Sequence, residues 1–284
     1  MKKLVFLLTL LSFITTGCRK DPKVAPYEER QVFVFFSHKS LTNSVLKATA
    51  EEEKAVSRVL LFGVAGQTVT KIYDGTPVSD GVKLIISKTI TSFYAIANPS
   101  VDLAAATPTN LTALKGLTES FLEQPENLFL MSGSANINGS INVNIQLERA
   151  VAKIKIDGIN DFVITSVDVE NTPSRGYVFP QDPFVVPGGN ATKYKIFGDD
   201  PIFYVAENTT VSPTRFIVTG IVDSKVVTYP ISQLTKNNGT PVDIKRNCYY
   251  EITVSPTTEH ECTFTIEIKE WTPVEVDGHV IPDE

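Results

Sequence analysis

From residue 141 to residue 148 the chain alternates strictly. Ile141, Val143, Ile145 and Leu147 are apolar, and Asn142, Asn144, Gln146 and Glu148 between them are polar. A period of two predicts a half-buried strand. From Ala150 the phase reverses: Ala150, Ala152, Ile154 and Ile156 become the inward set, and Arg149, Lys153 and Lys155 are expected to point outward. A slip of one residue sends side chains to the opposite face of a sheet. The chain therefore either bulges at this point or leaves one sheet for another. We read it as a boundary between two β domains, residues 19–148 and 149–272.

Most other segments also read as strand and turn. Val32, Phe33, Val34, Phe35 and Phe36 form a solid apolar run, as expected of a strand covered on both faces, and residues 56–64 form another. Runs at 82–86, 92–97, 162–169, 193–197, 202–206, 215–222, 226–229, 249–254 and 263–268 are separated by turn-forming residues. Asp74-Gly75 and Asp80-Gly81 read as turns. Only residues 107–121 suggest a helix, with Leu111, Leu114, Leu117 and Leu122 near one face and Thr109 or Asn110 as its cap. The expectation is an all-β chain of two tandem sandwiches, with one short helix in the first.

The start of the chain follows a different pattern. Lys2 and Lys3 precede a mostly apolar stretch over residues 4–14, then Thr15, Thr16, Gly17 and Cys18. This order predicts a signal peptide, residues 1–18, ending in lipid attachment at Cys18. The stretch is shorter than the about 20 residues that span a bilayer. Thr15 stands where such signals usually carry Leu, and an ordinary secretory signal is the alternative. Export makes chemistry dependent on cytosolic ATP or NAD a poor expectation.

Composition narrows the function classes. The 284 residues carry a net charge of −6 with 42% hydrophobic content, enough for a packed core. No Lys/Arg cluster is long enough to track phosphates, so no nucleic-acid partner is expected. If residues 255–261 close a hairpin, Cys248 faces Ile268, six residues along the strand from Cys262 (268 − 262). That is about 20 Å, whereas a disulfide needs Cα atoms within about 7 Å, so two buried free thiols are expected. His260-Glu261-Cys262 has the residue types of a metal site, but adjacent strand residues alternate faces and no further ligands lie at suitable spacing. No nucleophile elbow or P-loop occurs. No catalytic residue, metal or cofactor is predicted. Trp271, the only tryptophan, is expected in the core.

Several stretches together resemble the fimbrillins, lipoprotein-derived pilus subunits of Bacteroides-type bacteria. They are Phe93-Tyr94-Ala95-Ile96-Ala97-Asn98-Pro99, Leu128-Phe129-Leu130-Met131-Ser132-Gly133 and Leu147-Glu148-Arg149-Ala150-Val151-Ala152-Lys153-Ile154. Phe203-Tyr204-Val205-Ala206-Glu207-Asn208, Asn247-Cys248-Tyr249-Tyr250-Glu251-Ile252-Thr253-Val254 and the late Trp271 complete the set. The resemblance covers about residues 30–272. It implies two transthyretin-like sandwiches in tandem and a non-enzymatic, structural subunit of a cell-surface fimbria that supports adhesion. It also implies a lipid-anchored precursor at the outer membrane. A protease cuts the loop after the first strand, and a strand from the next subunit takes the vacated place. The implied partners are other pilus subunits, a processing protease, the outer membrane through the lipid, and a host or bacterial surface ligand.

The residues supply candidates for each part of that scheme. The strand to be displaced is residues 31–37, containing Val32, Phe33, Val34, Phe35 and Phe36. The polar loop over residues 37–53 offers Lys39 and Lys47 to a trypsin-like protease, Lys47 being preferred, whereas Arg30 precedes the strand. In the tail, residues 273–284, Val274, Val276 and Val280 share one phase and could form a donor strand. Pro273 and Pro282 bracket them, which suits an edge strand, and a disordered terminus is the alternative. The competing function is a monomeric surface lipoprotein that binds glycans through its β-sandwich loops.

Overall fold

The computed structural model describes residues 28–38, 55–121, 129–159, 161–188, 191–199 and 201–271. Cys18, Lys39, Lys47, Leu122, Val274, Val276 and Val280 lie outside the described residues. The described chain is all-β. Its first half contains β1 (Glu29–His38), β2 (Val59–Ala65), β3 (Thr68–Gly75), β4 (Val82–Ser87) and β5 (Ser92–Ala97). Helices α1 (Val101–Ala105) and α2 (Leu111–Lys115) follow, then β6 (Thr118–Ser120), β7 (Met131–Asn136) and β8 (Asn142–Arg149).

Strands β3-β2-β5-β7-β8-β1-β4 form one hydrogen-bonded sheet. Strands β7 and β8 pair only through Met131–Arg149 and Ser132–Glu148, and at that corner the sheet folds over. Val32 and Val34 of β1 consequently share a buried cluster with Val59 and Leu61 of β2 and Phe93 and Ala95 of β5. Gly133 marks the corner: a Cβ there would sit 2.2 Å from the Gln146 carbonyl oxygen, so the two backbones approach closely only without a side chain.

Two apolar runs of similar composition have different fates. Strand β2 is covered on both faces. Val59 and Leu61 enter the cluster just described, while Leu60, Phe62 and Val64 enter a second one with Leu103 of α1, Leu114 of α2, Val178 and Phe179. Strand β1 is less evenly covered than expected: Val32 and Val34 are fully buried, whereas Phe33 and Phe35 on the other face are half-buried. The expected single helix is also corrected. Asn110 caps α2 by accepting from the Ala113 N–H at 2.8 Å, and the helix stops at Gly116. Residues beyond it become β6, paired with β11 (Arg175–Tyr177). The second short helix, α1, begins at the Ser100 cap. Asp74-Gly75, expected as a turn, closes β3.

The second half begins with β9 (Val151–Gly158) and β10 (Val163–Pro173), preceding β11. It continues with β12 (Ala191–Phe197), β13 (Ile202–Ala206), β14 (Arg215–Val222), β15 (Lys225–Ile231), β16 (Cys248–Pro256) and β17 (Cys262–Glu270). Two four-stranded sheets, β12-β10-β14-β15 and β13-β9-β16-β17, enclose a cluster that includes Ile154, Ile156, Val167, Phe216, Val218 and Ile252. Strands β8 and β9, on either side of Ala150, lie in different sheets. The phase reversal is thus a crossing between sheets and not a bulge.

The β16–β17 hairpin closes two residues tighter than expected. Pro256 faces Cys262 and Cys248 faces Glu270, because Thr257 and Thr258 both donate to the Glu261 carbonyl in the turn. The thiols are then eight residues apart along β17 (270 − 262), about 26 Å. Both are free, and both are half-buried instead of fully buried.

Candidate strand-exchange groove and the junction behind it

Strand β1 bridges two neighbours. Glu29 to Val34 pair antiparallel with Ser87 to Val82 of β4, and Phe33 to His38 pair parallel with Asn142 to Leu147 of β8. Among the described strands β4 has no neighbour except β1. Val32 and Val34, both 0% exposed, point into the core beside Ile86, Val143 and Ile145 of the flanking strands. On the outer face, the Phe35 ring lies over Gly81, whose φ is +79° and where a Cβ would sit 2.8 Å from the ring. Phe36 packs on the core cluster while half-buried.

Polar contacts hold both ends of β1. The Phe33 N–H donates to the Ile141 carbonyl at 2.7 Å, and the Lys88 N–H to the Glu28 carbonyl at 2.8 Å. Ser37 donates to the Asn144 side chain at 3.1 Å. Arg30, expected before the strand, lies within β1 opposite Ile86 and donates to the Ile90 carbonyl.

Behind the groove, the two halves meet around Trp271, which is 4% exposed and belongs to the same cluster as Val32 and Val34. Trp271 stacks on Tyr204 at 5.3 Å and 13°, and both rings contact Phe129, at 5.3 and 4.5 Å. The Arg149 guanidinium sits 4.4 Å over the indole and donates to the Asn247 side chain at 3.3 Å. Lys153 lies 5.4 Å from the Tyr249 ring. Arg149 and Lys153, expected to point outward, are only 1% and 5% exposed. At the crossing from β8 to β9 the expected outward side is the inside of the junction, and the aromatic faces accept the cations.

A second tie runs through Arg246, 7% exposed. Its Nε donates to Glu207 at 2.8 Å, its Nη1 to the Val178 carbonyl at 2.8 Å and its Nη2 to the Tyr177 carbonyl at 2.6 Å. It thereby joins the second half to the segment that covers β2. The phase reversal points to this region, and Phe129 and Tyr204 lie within stretches that carry the family resemblance, but nothing in the sequence singles out Arg246, which precedes β16.

One ion pair near the junction gives a pH dependence. Glu251 accepts from Lys269 and from the Tyr249 hydroxyl at 3.0 Å. The Lys269 hydrogen bond is the main reason its carboxyl lies below the ordinary value of 4.5. A depressed carboxylate contributes stability that is present above the unfolded value and lost as pH falls through the folded one. We therefore expect Glu251→Gln to cost about 0.5–1 kcal/mol at neutral pH. In urea titrations the difference from the parent chain should shrink steadily as pH drops below the carboxylate range. A difference independent of pH would mean that the pair contributes nothing through its charge.

No three His, Cys, Asp or Glu side chains cluster as metal ligands among the described residues. No described helix is long and apolar enough to cross a membrane.

No family model and no curated protein matches the chain. Solved structures do. A candidate cell adhesion protein from Bacteroides eggerthii superposes with a TM-score of 0.60 and 18% identity, over 87% of this chain and 97% of that one. Another, from Parabacteroides distasonis, gives 0.58 and 16%, over 88% and 98%. A carboxy-terminally truncated form of the tip fimbrial protein Mfa3 from Porphyromonas gingivalis gives 0.58 and 14%, over 85% and 100%. At these identities the likeness establishes a shared fold spanning nearly the whole of each chain.

Proposed function

We propose that this protein is a structural subunit of a cell-surface fimbria, assembled by exchange of its first strand and supporting adhesion. The precursor is lipid-anchored at the outer membrane through Cys18, is cut after Lys47 or Lys39, and joins an extracellular polymer. Residues 19–148 and 149–272 are its two sandwich domains. The observation that carries this reading is the position of β1. It lies between β4 and β8, supplies Val32 and Val34 to the core, and is β4's one neighbour among the described strands.

The energetics are compatible with exchange. Full burial of Val32 and Val34 contributes about 3–6 kcal/mol, against a typical domain stability of about 5–15 kcal/mol. Loss of β1 without replacement leaves an apolar groove, and strand addition is a common way to fill one. The tail is the proposed donor, with Val274, Val276 and Val280 occupying positions like those of Val32 and Val34. The fold shared with the fimbrial protein Mfa3 and with candidate adhesion proteins supports the same reading, and it favours a binding role over an enzymatic one.

Limited trypsin digestion of a chain beginning at Arg19 tests it. We expect one early cut between Ser37 and Glu53, followed by species of increasing size. An uncut loop on a chain that stays monomeric would overturn the proposal.

A further inference from the structure

A cleft of about 280 Å³ opens at the corner where β7 turns into β8, on the side away from the groove core. Ser132, Gly133 and Ser134 of β7 are among its lining residues. Tyr94, Phe179, Gln146, Glu148 and Lys115 of α2 line it as well. We propose that this cleft binds a neutral sugar ring of a surface glycan. The inference rests on the adhesive part of the proposed function and is independent of strand exchange.

The cleft is held in shape. Ser132 donates to the Val178 carbonyl at 2.6 Å, and the Val178 N–H donates to Leu117 at 2.9 Å. Gln181 donates to the Lys115 carbonyl at 3.0 Å. Tyr94 is braced edge-on by Phe179 at 5.4 Å, and the Lys115 ammonium lies 5.9 Å from its ring. Gly133 lets β7 and β8 approach closely beside the cleft, since a Cβ there would sit 2.2 Å from the Gln146 carbonyl oxygen.

The lining chemistry selects the ligand class. Glu148 opposes an anion and Lys115 opposes a cation. The Ser134 hydroxyl and the Gln146 amide disfavour a purely apolar guest, which would leave them dry and unpaired. A neutral ring with hydroxyl groups on its edges and C–H groups on its face suits all of these at once. Its edges exchange hydrogen bonds with Gln146, Glu148 and Ser134, and its face packs on Tyr94. The volume lies at the small end of ligand pockets, so one ring is the fitting unit.

The test is an NMR titration of the uncut chain beginning at Arg19, with the methyl pyranosides of glucose, galactose, mannose, fucose and N-acetylglucosamine as probes. At least one should shift the amide signals of residues 132–134 and the Gln146 side chain, with a dissociation constant of about 1–10 mM. Gln146 is exposed, so Gln146→Ala should leave the fold intact and weaken binding about 3- to 10-fold. Tyr94→Phe, which keeps the ring, should bind as the parent does, and Tyr94→Leu should not. No shifts at tens of millimolar of any probe, or shifts unchanged in Gln146→Ala and Tyr94→Leu, would overturn the inference. Because the chain is uncut, failure to polymerise leaves this result untouched.

Discussion

Replacing Val34 with aspartate should remove most or all of the stability of the first half. Val34 is 0% exposed and sits in an apolar cluster with Ile86, Val143 and Ile145. The substitution deletes an apolar contact and either buries a charge or forces it to bind a proton, a combination at the extreme of single-residue effects, about 4 kcal/mol or more. Phe33, one residue away, faces the other side and is half-buried. Phe33→Ser should cost only about 1 kcal/mol, since less area returns to water. Urea unfolding of the two variants reads this asymmetry directly. Equal losses would show that β1 is held from both faces and that its inward phase is not Val32 and Val34. The same asymmetry bears on exchange, because an incoming strand must reproduce only the inward positions to restore the core.

The second large effect is expected at the junction. Arg149→Ala removes a side chain that is 1% exposed, together with its contact to the Trp271 ring and its hydrogen bond to Asn247. It leaves a cavity and takes one of two donors from the Asn247 side-chain oxygen, the Arg149 backbone N–H at 3.3 Å remaining, and about 3 kcal/mol or more should be lost. Trp271→Ala opens the stack with Tyr204 and Phe129 and should cost about 3–5 kcal/mol. In the double variant the losses should fall short of their sum by about 0.5–2 kcal/mol, because the cation and the ring stabilise each other. Additivity within about 0.3 kcal/mol would mean that the two residues act independently. Trp271 is the only tryptophan, so its emission in Arg149→Ala separately reports whether the junction has opened.

Much of the fold is legible along the chain. The strands over residues 92–97, 202–206 and 215–222 have the limits that the apolar runs predict. The reversal of phase beside Ala150 marks the point where the chain changes sheets. The β16–β17 register is not legible in the apolar pattern because a hairpin's register depends on how its turn closes, and Thr257 and Thr258 close it on Glu261. The segment 107–121 departs from a single helix because helical periodicity in its leucines competes with the pairing of residues 118–120 to β11, a partner more than fifty residues away.

The candidate site divides in the same way. The apolar run at 32–36 identified β1, and its central place between β4 and β8 is a tertiary fact. By itself the sequence determined where strands run, which residues alternate and where the alternation slips, since those properties depend on local backbone geometry and side-chain period. Only the tertiary structure decided which faces are covered. Residues 59–64 and 32–36 look alike in sequence, yet α1, α2, Val178 and Phe179 bury the second face of β2, whereas Phe33 and Phe35 on the second face of β1 stay half-buried. Arg149 and Lys153 sit in outward phase and are nonetheless buried, because Trp271 and Tyr249, which lie about a hundred residues later in the chain, close over them. Period tells which side of a strand a residue occupies. What lies against that side is set by the packing of distant segments.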